Sequence, residues 1–208
     1  MISKFVKTNF IVLLLVPYLV GLIGILLPIS RSFFLELTPH MLLFSFLLVV
    51  IEEGKWIGRN SIPLSLILIL SYGAEYVGVN YGYLFGDYTY GKSLGLKYLN
   101  VPLIIPITWV MLSISARSLI NLLTNQYLVS VFLTALVITS YDFLLEQVAI
   151  RFGWWNWNQP DIPIFNYVCW FGLSFIFQLS ITNVPKITGR SYGIIFVHIL
   201  FYWVLLLM

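Results

Sequence analysis

Apolar residues run along this chain in long blocks joined by short polar segments, without the two-residue alternation of a half-buried strand or the narrow stripe of a surface helix. Measured against the ~20 residues that cross a hydrocarbon core, the blocks predict spans at 9–29, 37–52, 62–79, 101–121, 127–149, 163–183 and 191–207. The second is short and runs straight into Glu52 and Glu53, so it is expected to be thin, tilted or re-entrant. The fold class expected is all-α: a polytopic membrane helix bundle of about seven transmembrane helices, forming one integral membrane domain over residues 1–208.

Composition sharpens this. The 208 residues are 60% hydrophobic and 9% charged, with a mean hydropathy of +0.96, outside the range of soluble domains. Lys4 and Lys7 precede an apolar run about twice the length of a signal-peptide core, which reads as the first span. The basic residues stand singly, with no run able to track phosphates, so nucleic acid is not an expected partner. Lys4, Lys7, Lys55, Arg59, Arg117, Lys186 and Arg190 fall on one side of the predicted bundle, and Arg31, Lys92, Lys97 and Arg151 on the other. The positive-inside rule then puts the N-terminus in the cytoplasm and the C-terminus outside. Two long aromatic-rich loops, roughly 79–100 and 150–162, share the non-cytoplasmic side. Cys169, alone in an apolar run, reads as a small buried hydrophobe. Nothing in the pattern specifies an oligomeric state.

Acids inside hydrocarbon are costly, about 2.5 to 3.5 kcal/mol at a helix centre, and each is a functional candidate. Glu75, near the end of the third span, and Asp142 and Glu146, in the last turns of the fifth, approach the same face as the two loops. Asp142 and Glu146 lie four residues apart on one helix face, and Thr139 is expected to extend that polar stripe. With no cation in those turns, one of the pair should keep its proton. A plainer reading pairs the acids with Arg151 or with tyrosine hydroxyls. Glu52 and Glu53 read as a solvated turn beside Lys55 and Arg59. Asp87 lies in a loop, where a turn role competes with a place in the site. His40 and His198 are isolated, so no metal site is expected.

The stretch EYVGVNYGYLFGDYTYGKSLGLKYLNVPLIIPITW, residues 75–109, resembles the E-x-x-G…G-x-x-FG-x-Y-x-Y…LG…VP…P-x-x-W pattern of the carotenoid biosynthesis protein family, which includes carotenoid 1,2-hydratases and bisanhydrobacterioruberin hydratases. YDFLLEQVAIRFGWWNWNQPDIPIFNYVCWF, residues 141–171, is similar to its D-x-x-x-D-P…G-x-W-x-W…P-x-x-N-x-x-G-W pattern. Asp142, Gly153, Trp155, Trp157, Pro163, Asn166 and Trp170 stand on matching positions. Glu146 replaces an Asp of that pattern, Gln147 a Pro, and Cys169 a Gly.

The resemblance implies hydration of the terminal C1=C2 double bond of an acyclic or monocyclic carotenoid, within a bacterial or archaeal cell membrane and without metal or organic cofactor. Protonation at C2 would need a desolvated acid, Asp142 first and Glu75 as the alternative. Tyr88, Tyr90, Trp155 and Trp157 could face the resulting cation, and Trp109, Asn166 and Asp87 complete the expected substrate-binding set. Glu146 or Glu75 would take the proton from water. Gly78, Gly82, Gly86 and Gly91 would suit a re-entrant segment laid over the polyene. The competing classes are a non-catalytic carotenoid or lipid binder, a transporter, and a carotenoid cyclase that quenches the same cation with a double bond.

Overall fold

In the computed structural model, residues 2–181 and 189–208 are described; the end of the span expected over 163–183, and Lys186, lie outside them. The protein is mostly helical. Among the described residues, α1 (Ile2–Leu26) is followed by the short α2 (Arg31–Glu36), then α3 (Thr38–Arg59) and α4 (Ser61–Tyr81). After strands β1 (Tyr88–Tyr90), β2 (Lys97–Tyr98) and β3 (Val101–Pro102) come α5 (Ile104–Ile120), α6 (Tyr127–Phe152), β4 (Trp155–Trp157), α7 (Ile164–Ser180) and α8 (Gly193–Leu207). By length and composition α1, α4 and α6 are able to cross a membrane, while α5, α7 and α8 are shorter apolar helices. Valine, leucine and phenylalanine on their outer faces stay exposed, as in Val12, Val16, Leu66, Phe132 and Phe196. That is the surface a hydrocarbon solvent accepts and water does not.

Two clusters define the ends of the bundle. At one end the start of α1, the end of α3 and the segment leading into α8 meet, since Lys7 Nζ donates to the Glu52 carbonyl at 2.8 Å and Arg190 N–H to Glu52 Oε1 at 3.0 Å. At the other, Arg151 at the end of α6 donates to the carbonyls of Leu205 and Leu206, the last turn of α8. Cations commonly serve helix C-termini this way.

Several expectations change here. Glu52 and Glu53 are not a solvated turn: α3 continues to Arg59, and both acids are buried. Glu53 Oε1 accepts the Ser191 hydroxyl at 2.7 Å. Donors that precede a helix have no partners inside it, so they draw these carboxylates inward. Arg117, counted above among the cations on one side of the bundle, is 2% exposed; it donates to Gln178 Oε1 at 3.3 Å and lies 5.5 Å over the Tyr127 ring.

The segment expected to lie over the site folds as a short strand after α4. Gly82 ends α4 in the left-handed region at φ +66°, and the chain turns back to form β1, which pairs antiparallel with β4 in the register Tyr88↔Trp157, Thr89↔Asn156 and Tyr90↔Trp155. Gly91 locks the ribbon, its N–H donating to the Trp154 carbonyl at 2.7 Å. A Cβ there would stand 1.9 Å from the Gly153 carbonyl oxygen, so only glycine fits. β2 and β3 form a small hairpin tied to α4 by Asn80, whose Nδ2 donates to the Leu99 carbonyl at 3.1 Å.

Candidate active site

Side chains alternate across a strand, so Tyr88, Tyr90, Trp155 and Trp157 share the inner face of the ribbon while Thr89 and Asn156 stay exposed. The four rings pack as cross-strand pairs, Tyr88 with Trp157 at 5.2 Å and Tyr90 with Trp155 at 5.9 Å between centroids. Beneath them lies a cavity of about 50 Å³. At the ~10–15 Å³ that a water requires, it has room for roughly three to five waters or the end of an alkyl chain.

Glu75 and Glu146 both line this cavity, and each is held by three donors. Tyr88 and Tyr90 donate to Glu75 Oε2 at 2.6 and 2.7 Å, and Trp109 Nε1 to Oε1 at 3.1 Å. Trp155 and Trp157 donate to Glu146 Oε2 at 2.9 and 2.8 Å, and Asn166 Nδ2 to Oε1 at 3.2 Å. The two half-sites follow one plan. Each acid stands seven residues before the left-handed glycine that ends its helix, Gly82 or Gly153. In each, the returning strand contributes two aromatic donors and the next helix a third. A search for repeats in sequence misses this plan, because the spacer from glycine to strand differs and the residue types do not match.

Asp142 is placed differently. It is fully buried behind Glu146 and does not line the cavity. Its Oδ2 accepts the second hydrogen of the Asn166 amide at 3.0 Å, so one amide bridges both acids. Its Oδ1 meets no donor among the described residues. Thr139 does not extend the acid stripe: it is half-buried and bonds back to the Ala135 carbonyl. The buried face of α6 runs instead through Thr134 and Ile138 to Asp142 and Glu146. Asp87 also stands apart, exposed at the ribbon's edge, with Oδ1 accepting from Asn158 Nδ2 at 2.8 Å. Arg151 bonds neither acid.

No lysine, arginine or histidine lines the cavity among the described residues. Its acids are met only by neutral donors. Tyr88 and Tyr90, desolvated by burial and set against the Glu75 carboxyl, have hydroxyls pushed well above the usual phenol range, so both remain O–H groups. Trp109 stacks on Trp170 at 4.0 Å between centroids and 16° between planes. Phe85 lines the cavity with φ at +66°, rare for a bulky residue; its N–H meets Cys169 Sγ at 3.4 Å. Cys169 is buried, as expected for a small hydrophobe.

Sequence reasoning passed over Tyr141, Trp154 and Tyr202, which line the same cavity. Tyr141 joins Tyr202 at 3.0 Å and His198 Nδ1 at 2.9 Å, and His198 Nε2 joins Tyr18 at 2.5 Å. The only sequence signal was the apolar setting of Tyr141 and Tyr202, where burial demands a partner; Trp154 Nε1 has none among the described residues.

Fold and site define a helical bundle with membrane-type surfaces that seals two carboxylates under an aromatic ribbon. Residues 37–206 match the profile of carotenoid biosynthesis proteins, and the chain belongs to that family. It is similar to the bisanhydrobacterioruberin hydratase of Haloarcula japonica, at 32% identity over 123 residues, covering 54% of this chain and 41% of that protein. The aligned segment therefore spans less than half the length of that relative. No solved structure matches the chain.

Proposed function

We propose that this protein is a membrane carotenoid hydratase, adding water across the terminal C1=C2 bond of an acyclic end group to give a tertiary alcohol. The observation that carries this reading is that Glu75 and Glu146, from different helices, reach one small aromatic-walled cavity in a member of the carotenoid biosynthesis family. The name of the Haloarcula relative supports hydration over the other chemistries open to that family.

The donors distinguish the acids. Glu146 is held by indole and amide N–H groups, which can only donate, whereas two partners of Glu75 are hydroxyls that donate or accept. Glu75 can thus carry a proton without losing its contacts, and it is the proposed general acid. Its proton passes to C2, leaving the positive charge on C1. Water adds to C1, and Glu146 accepts the proton that water loses. The sum is alkene plus water to alcohol, with no redox change. Each flanking aromatic face contributes about 0.5 to 2 kcal/mol to the cation, by contact of the kind known for ammonium groups. Asp142, behind Glu146 and bridged by Asn166, is a positioning residue for the base.

In this reading seven helices cross the bilayer, the N-terminus is cytoplasmic, and the ribbon end faces outward. The test is expression in cells that accumulate lycopene, followed by mass analysis. Gain of one or two waters is expected; a carotenoid pool identical to that of cells without the protein, with the protein present in their membranes, would sink the proposal for this substrate.

A further inference from the structure

A second, larger cavity of about 340 Å³ adjoins the acid cavity, and Thr38, Leu42, Trp154 and Tyr202 line both. It follows α1 from Val16 to Ile25, a rise of about 14 Å at 1.5 Å per residue. Its wall carries hydroxyls only on Tyr18, Thr38 and Tyr202, and each is already engaged: with His198 and Ser45, with the Leu35 carbonyl, and with Tyr141. The side-chain donor left without a partner on this wall, among the described residues, is Trp154 Nε1, and it lies where the corridor meets the acid cavity. At its outer rim Val16 and Val20 are each 52% exposed on a helix apolar enough to cross the membrane.

Two features of α1 keep the space open. Gly21 borders it, and a Cβ at Gly21 would meet nothing within 4 Å. At Gly24 the Phe34 ring packs where a Cβ would stand 2.1 Å away, which holds α2 against α1 and closes the far wall. A small aromatic chamber that holds two acids thus opens into a long apolar one, and that suits a ligand with one reacting end and a rod-like hydrocarbon body.

We infer that this corridor between α1, α2, α3 and α8 is the binding site for the polyene body of the substrate, which enters sideways from the bilayer with its end group leading to the acids. The inference rests on the proposed hydratase reading for the identity of the ligand, and on the shared wall for the route.

Gly21→Phe sets a ring at the border of the corridor, where its Cβ meets nothing within 4 Å, and Val12→Phe, on the same helix at a position 58% exposed, controls for insertion and expression. Binding of lycopene to the detergent-solubilised full chain is read from the induced circular dichroism of the polyene. Turnover is read separately on lycopene and on a short acyclic isoprenoid with the same isopropylidene end. The expected result is lycopene binding weakened at least about tenfold in Gly21→Phe, unchanged binding in Val12→Phe, and short-substrate turnover retained in both. Undiminished lycopene binding by Gly21→Phe overturns the corridor, as does equal loss of turnover on both substrates or failure of the wild type to bind lycopene. Wild-type binding that Gly21→Phe abolishes, without any hydrated product, leaves the corridor standing and removes the hydratase reading.

Discussion

Replacing the three buried acids one at a time by their amides separates a proton donor from the groups that merely hold it. Glu75→Gln keeps the volume and can keep its contacts, with its oxygen facing Trp109 Nε1 and its amide hydrogens facing the Tyr88 and Tyr90 oxygens. What it cannot do is give up a proton, and general acid catalysis contributes about 10²- to 10⁴-fold. Glu146→Gln should cost a similar factor if that carboxylate takes the proton from water. Asp142→Asn changes less. Asp142 lies behind the cavity wall, and its described side-chain contact is the Asn166 amide at 3.0 Å. Beside an ionised Glu146 the buried Asp142 is the member of the pair that keeps its proton, so the amide changes little; even from an ionised Asp142, neutralising the acceptor would lower one hydrogen bond only from about 1.5–3 to about 0.5–1.5 kcal/mol. That difference, about 1 to 1.5 kcal/mol, sets an upper bound of roughly 5- to 13-fold on the fall in rate. The assay is turnover of lycopene in membranes, with product quantified by mass and normalised to inserted protein. Loss in Asp142→Asn equal to that in Glu75→Gln would refute the reasoning, because a residue outside the cavity would then be acting as the acid.

Two further outcomes test the frame around the acids. Gly91→Ala forces a Cβ to 1.9 Å from the Gly153 carbonyl oxygen, so the ribbon must open; turnover should drop at least about tenfold and thermal stability by a few degrees, a change of about 1 kcal/mol or more. Retained activity would mean that the ribbon does not hold the donors in place. Asn80→Cys, exposed beside the hairpin, should react with a membrane-impermeant thiol reagent added from outside intact cells, while labelling from the cytoplasmic side alone would invert the proposed orientation.

Burial of Glu52 and Glu53 shows where local reasoning ends. Two adjacent acids followed by Lys55 and Arg59 read as a turn, since nothing nearby in sequence repays their desolvation. Their donors, Arg190 N–H and the Ser191 hydroxyl, lie more than a hundred residues away. The ribbon was hidden for a related reason. Tyr-Thr-Tyr and Trp-Asn-Trp are three-residue alternations, too short to register as strands against a helical background. Each is stable only because the other supplies its backbone partners.

Apolar block lengths alone determined that the chain is a helical bundle of membrane type, because hydrocarbon solvent demands helices whose backbone bonds close internally. The cost of charge in such a bundle likewise picked out Glu75, Asp142 and Glu146, and the order of aromatics and glycines pointed to the family. Only the tertiary structure decided which acids reach the cavity. Helical spacing puts Asp142 and Glu146 on one face of α6, but the packing of α6 against its neighbours sets the depth of each along that face, and it leaves Asp142 behind the wall. It also decided that two distant aromatic strands would pair so that each acid receives three donors, an arrangement that depends on long-range contacts and on the left-handed turns at Gly82 and Gly153.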